Sequence, residues 1–90
     1  MDATSILSRS EGVTYQTVGE EAILIRMDTG TYFSMNNIGT EFWQMLDGIQ
    51  TMQQHAETIA EKYDVDVAMV LGDLLELAGK MDEENLLIIA

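Results

Sequence analysis

The stretch from Met27 to Gly48, MDTGTYFSMNNIGTEFWQMLDG, contains the change from strand to helix that decides the fold. Asp28-Thr29-Gly30 supplies a tight turn, with Gly30 free to adopt positive φ. Thr31-Tyr32-Phe33-Ser34-Met35 follows as a short β-prone run. Asn36 or Asn37 then offers a side-chain cap for a helix that reaches about Leu46, with Ile38, Phe42, Met45 and Leu46 on one stripe and Trp43 beside it. Asp47-Gly48 ends that helix, because glycine suits the left-handed residue beyond a helix terminus.

Working outward toward the N-terminus, VTYQTV (Val13–Val18) alternates apolar and polar side chains. After Gly19-Glu20 the run AILIRM (Ala22–Met27) is apolar apart from Arg26. Together with Thr31–Met35 these predict a three-stranded antiparallel meander, which is too small to stand alone and must bury one face. Residues 1–12 show neither periodicity nor caps and are expected to form a flexible arm, leaving 13–90 as the domain.

Toward the C-terminus, Thr51 caps a predicted helix over roughly residues 52–63, with Met52, Ala56, Ile59, Ala60 and Tyr63 at helical spacing. Asp66 caps a third helix, from about Val67 to Met81, and Asn85 is its expected stop. Leu86–Ile89 is an apolar tail with no clear form. At about 100° per residue the third helix spreads its apolar side chains over an arc of roughly 180°, from Leu77 and Val70 through Val67 and Leu74 to Leu75 and Ala68. A single core contact needs only about 100° of arc. Either the helix lies between two layers of the protein, or one margin is left for a partner. The fold class expected is α+β, a three-stranded antiparallel sheet followed by three helices, winged helix-turn-helix-like.

Composition narrows the function. In 90 residues there are sixteen Asp and Glu against four Lys and Arg, a formal net charge of −12. Arg9, Arg26, Lys62 and Lys80 are too dispersed to form the cationic patch that a phosphate backbone requires, and Asp66, Asp73, Glu76 and Asp82 would make the third helix repel DNA. The absence of cysteine removes disulfides, thiol nucleophiles and thiolate metal sites. No apolar run approaches the ~20 residues needed to span a bilayer, and MDATSILSRS lacks a signal pattern, so the expected compartment is the cytoplasm.

Catalytic chemistry has little to work with. The lone histidine, His55, is expected at the surface or half-buried, and the only carboxylates near it at a telling spacing, Glu57 and Glu61, lie four apart on another stripe of the helix. Asp64 and Asp66 lack the glycine and closing glutamate of a calcium loop and read as turn and cap. Ser34 has no visible base, and the glycines form no phosphate-cradling run. The chain is therefore expected not to be an enzyme, and to need neither metal nor cofactor.

The Met27–Gly48 segment resembles the PqqD-like family, the recognition elements for precursors of ribosomally synthesised and post-translationally modified peptides (RiPPs). The resemblance rests on Thr29-Gly30, Tyr32-Phe33, Met35-Asn36, Gly39, Phe42-Trp43 and Asp47-Gly48 in that order and spacing. It continues more weakly through Thr51, AETIA, KYDVD and VLGDLLEL, and covers roughly residues 13–88. Two departures are Asn85, where members often have glycine, and Met52-Gln53-Gln54-His55, which lacks the usual acidic residues.

The resemblance implies a non-catalytic module that binds the leader of a precursor peptide. The leader would add as a strand to the edge formed by Thr31, Tyr32, Phe33, Ser34 and Met35, in a groove walled by Val70, Asp73, Leu74 and Leu77. It also implies a maturation enzyme as second partner, such as a radical SAM protein, a peptidase or a cyclase. No nucleic-acid or membrane partner is implied. A free strand edge would equally permit pairing with a second copy of the chain, as a homodimeric scaffold or regulator.

Overall fold

The computed structural model describes residues 1–90. In chain order the elements are β1 (Leu7–Arg9), β2 (Val13–Val18), β3 (Glu21–Arg26), β4 (Tyr32–Met35), α1 (Asn37–Met45), α2 (Met52–Tyr63), α3 (Val67–Glu83) and β5 (Leu87–Ile89). The α+β architecture is a three-stranded antiparallel sheet, ordered β2-β3-β4, packed on three helices, with a separate two-stranded ribbon of β1 and β5. The β2–β3 hairpin closes through Gly19 at φ 64°, and the five-residue β3–β4 connection through Gly30 at φ 71°.

Each helix begins where a side chain can satisfy the free N–H groups of a first turn. Asn36 Oδ1 accepts from Gly39 N–H at 2.8 Å. Thr51 and Gln54 form a reciprocal capping box at 3.2 and 2.7 Å. Asp66 accepts from Ala68 N–H at 3.0 Å. Left-handed Asp64 closes α2, and Asn85 takes the same conformation after α3.

The sheet buries Ala22, Leu24 and Met35 against Phe42 and Trp43 of α1, Met52, Ala56 and Ile59 of α2, and Leu74, Ala78 and Met81 of α3. Phe33 is partly buried beside them. On α3, Val67, Leu71, Leu75 and Leu77 are half-buried, whereas Ala68 is exposed, so the apolar arc is narrower on that side than its periodicity predicts.

The expected flexible arm over residues 1–12 is corrected at its centre. Leu7–Arg9 pairs antiparallel with Leu87–Ile89, and the Leu7 side chain is wholly buried. The segment also satisfies the first turn of α2, since Met52 N–H donates to Ser5 O and Gln53 N–H to Ala3 O, both at 2.9 Å. The apolar tail is the other half of that ribbon. These strands are three residues long and come from opposite ends of the chain, so neither carries a local pattern that announces the other.

His55 also departs from expectation. It is fully buried, edge-on to Phe42 at a ring-centroid distance of 6.0 Å, and neither ring nitrogen has a hydrogen-bond partner. Burial holds its pKa below 6.5, opposed by the charge of Asp47.

Candidate functional site

β4 is an edge strand: β3 lies on one side of it and no strand lies on the other. Arg26 N–H donates to Thr31 O at 3.0 Å, and the register pairs Leu24 with Phe33 and Ala22 with Met35. Hydrogen bonds alternate along an antiparallel ladder, so Thr31, Phe33 and Met35 bond toward β3 while Tyr32 and Ser34 direct their N–H and C=O groups outward. Two donors and two acceptors therefore face away from the sheet, spaced as an added strand requires.

Beside that edge runs a groove whose second wall is α3. One compartment, of about 410 Å³, lies between Ser34, Met35, Ile38 and Gly39 on one side and Asp73, Leu74 and Leu77 on the other. The next, of about 380 Å³, lies between Tyr32–Met35 and Leu77, Lys80, Met81 and Glu84. Leu77 borders both. The alternation that aims backbone groups outward also turns Phe33 and Met35 toward the core, so their side chains line the groove while Tyr32 remains 71% exposed. Gly39 keeps the first compartment tight, because a Cβ there would lie 3.2 Å from Met35 Sδ and 3.3 Å from the capping oxygen of Asn36.

Arg26 fixes the far end of the groove. Its guanidinium grips Asp28 through Nε and Nη2 at 3.0 and 2.6 Å and donates through Nη1 to the carbonyls of Glu84 and Asn85 at 3.2 and 3.0 Å. The hydrogen bond to Arg26 is the main reason that the Asp28 carboxyl lies below its usual pKa and the guanidinium above its own. Lys80 is 3.5 Å from Glu76. Asp73, at the opposite end, belongs to no ion pair.

Of the residues expected at the site, Tyr32, Phe33, Ser34, Met35, Asp73, Leu74 and Leu77 converge on the groove. Thr31 precedes β4 and bonds inward, its hydroxyl 2.8 Å from that of Thr29. Val70 is buried in the core one turn before Leu74 and lines neither compartment. Lys80, Met81 and Glu84 escaped the sequence reading, although they continue the three- and four-residue spacing of Leu74 and Leu77. A separate concavity of about 310 Å³ has a single apolar residue among its walls and holds the Lys62–Glu41 ion pair. Nowhere does the structure bring three His, Asp or Glu side chains together as a metal site, and no helix is long and apolar enough to cross a membrane.

An open strand edge with an apolar trench beside it is the arrangement by which domains of the strand-addition class recognise extended peptides. Residues 21–87 match the family model for coenzyme PQQ synthesis protein D (PqqD), and the chain belongs to that family. Among solved structures it is similar to TbiB1 in complex with the TbiA(beta) leader peptide, with 26% identity, a TM-score of 0.81, and coverage of 89% of this chain and 93% of that one. No curated protein sequence matches the chain.

Proposed function

We propose that this chain is a non-catalytic peptide chaperone of the cytoplasm. It captures the leader of a ribosomally synthesised precursor as a fourth strand on β4 and presents it to a separate maturation enzyme of the radical SAM, peptidase or cyclase kind. The observation that carries this reading is the unpaired outer edge of Tyr32–Met35 beside the two-compartment groove. The similarity to a protein solved with a leader peptide supports it.

The energetics divide affinity from selectivity. The four outward backbone groups of Tyr32 and Ser34 contribute roughly 1 kcal/mol net each, which alone corresponds to about millimolar binding. Any extended peptide gains that much. Filling the compartments on either side of Leu77 with apolar side chains adds about 1.5–3 kcal/mol each, enough for micromolar affinity after ordering costs. The sequence of the leader is thus read by the groove, and its extended shape by the strand.

The test is titration of the 15N-labelled chain with synthetic leaders of the short precursors encoded beside its gene. Amide shifts concentrated on Tyr32–Met35 and Asp73–Glu84 are expected. If leaders that their own maturation enzyme requires leave those amides unmoved, the reading fails.

A further inference from the structure

The sheet has a second open edge. Met27 N–H donates to Gly12 O at 2.8 Å, and β2 pairs with β3 so that Thr14 faces Ile25 and Gln16 faces Ile23. By the same alternation, Val13, Tyr15 and Thr17 direct their N–H and C=O groups away from β3, where no strand meets them. Edge strands are usually blunted by charge, proline, a bulge or brevity. β2 has none of these defences: it is six residues long, regular in register, and every side chain in VTYQTV is uncharged.

We infer that β2 is a self-association edge, pairing antiparallel with β2 of a second copy about a twofold axis through Tyr15. The edge is centred on that residue. In the only register that brings outward groups face to face around it, Val13 lies opposite Thr17 of the second copy, Tyr15 opposite Tyr15, and Thr14 opposite Gln16, closing about six hydrogen bonds. No pair in this register opposes like charges. The charge distribution favours a copy over a basic partner: in a chain of net charge −12, a surface built for a cation would display carboxylates, and β2 displays none.

The pairing fuses two three-stranded sheets into one of six strands. It leaves β4 on both outer edges, so each copy keeps its groove open. This inference stands whether or not the groove takes a leader peptide. Because both bodies are acidic, association strengthens with salt.

Sedimentation equilibrium of the full chain, from about 10 µM to about 1 mM, tests it directly. A monomer–dimer equilibrium that tightens with salt is expected. Thr14 and Gln16 are exposed on the sheet face away from the core, so charges placed there leave the fold intact, as a thermal melt verifies. Thr14→Lys with Gln16→Glu sets two opposite-charge pairs across the twofold and tightens the dimer about three- to tenfold, whereas Thr14→Glu with Gln16→Glu weakens it at least as much. A wild-type chain and a Lys/Glu variant that both stay monomeric overturn the proposal. So does a dimer indifferent to both variants, a dimer whose amide protection falls on Tyr32–Met35 rather than Val13–Thr17, or protection of Val13–Thr17 that arises only on binding a different protein.

Discussion

Arg26 Nη1 lies 3.0 Å from the carbonyl oxygen of Asn85, joining the last residue of β3 to the left-handed residue that follows α3. One side chain thereby ties the sheet beside β4 to the chain just beyond α3, donating to carbonyls that no intrahelical bond satisfies. Removing it frees one wall from the other at the Lys80–Glu84 end only. Arg26→Ala is expected to melt a few degrees lower and to bind a leader about three- to tenfold more weakly. Asp28→Asn keeps the donors to Glu84 and Asn85 and is expected to change affinity little, and calorimetric titration of both variants separates the two contributions.

Ser34→Pro probes the edge itself. The Ser34 N–H faces away from β3, so proline there removes an outward donor without breaking a ladder bond. A folded variant whose leader affinity falls at least tenfold, the equivalent of about 1.4 kcal/mol, is expected. Phe33→Pro is the contrast, because Phe33 bonds toward Leu24 and its ring packs on the core. That variant is expected to lose the fold. Leader titration with a parallel circular-dichroism melt checks both, and undiminished binding by folded Ser34→Pro would remove strand addition from the mechanism.

What could be read from the residues was whatever is local. Alternation over Val13–Val18, the turn at Asp28–Gly30 and the caps at Asn36, Thr51 and Asp66 each act within a few residues, and the structure has strands, turn and helix starts there. The β1–β5 ribbon depends on two ends of the chain meeting, so six residues of strand were invisible. His55 was legible in part. It falls between Met52 and Ile59 on the buried stripe of α2, but its polarity suggested the surface. At the groove, the strand side followed from the period of two. The helix side followed for Asp73, Leu74 and Leu77 but not at its two ends, because an apolar arc does not say which residues meet the core and which flank an opening. Val70 proved to be core, while Lys80, Met81 and Glu84 border the groove.

Asp73 is the free carboxylate at one end of the groove, exposed and outside every ion pair, so its charge is available to a ligand. Asp73→Lys is expected to leave stability within about 0.5 kcal/mol of the parent. It should lower affinity for leaders with a basic residue at that end and raise it for acidic ones, each by about two- to tenfold, with the difference shrinking as salt is added. Titrations with paired Lys and Glu leader variants at two ionic strengths measure this. Equal losses for both leaders would show that Asp73 shapes the groove wall rather than selecting charge.

His55 predicts how stability responds to mild acid. Burial among Phe42 and the apolar face of α2 lowers its pKa below the 6.5 of an exposed imidazole, so the unfolded chain binds the proton first. Stability from this group is complete above about pH 6.5 and declines as pH falls from there toward the folded-state value. The carboxyls of Asp2, Asp28 and Asp47, each held below 3.8 by hydrogen bonds to the charged form, add their loss only in more acidic solution. Urea midpoints measured from pH 8 to pH 4.5 are therefore expected to fall for the parent. His55→Leu, which replaces two unpaired nitrogens with apolar volume, is expected to match or exceed the parent at pH 8 and to lose most of the slope below pH 6.5. An unchanged slope in that variant would assign the mild-acid loss to a group other than the buried imidazole.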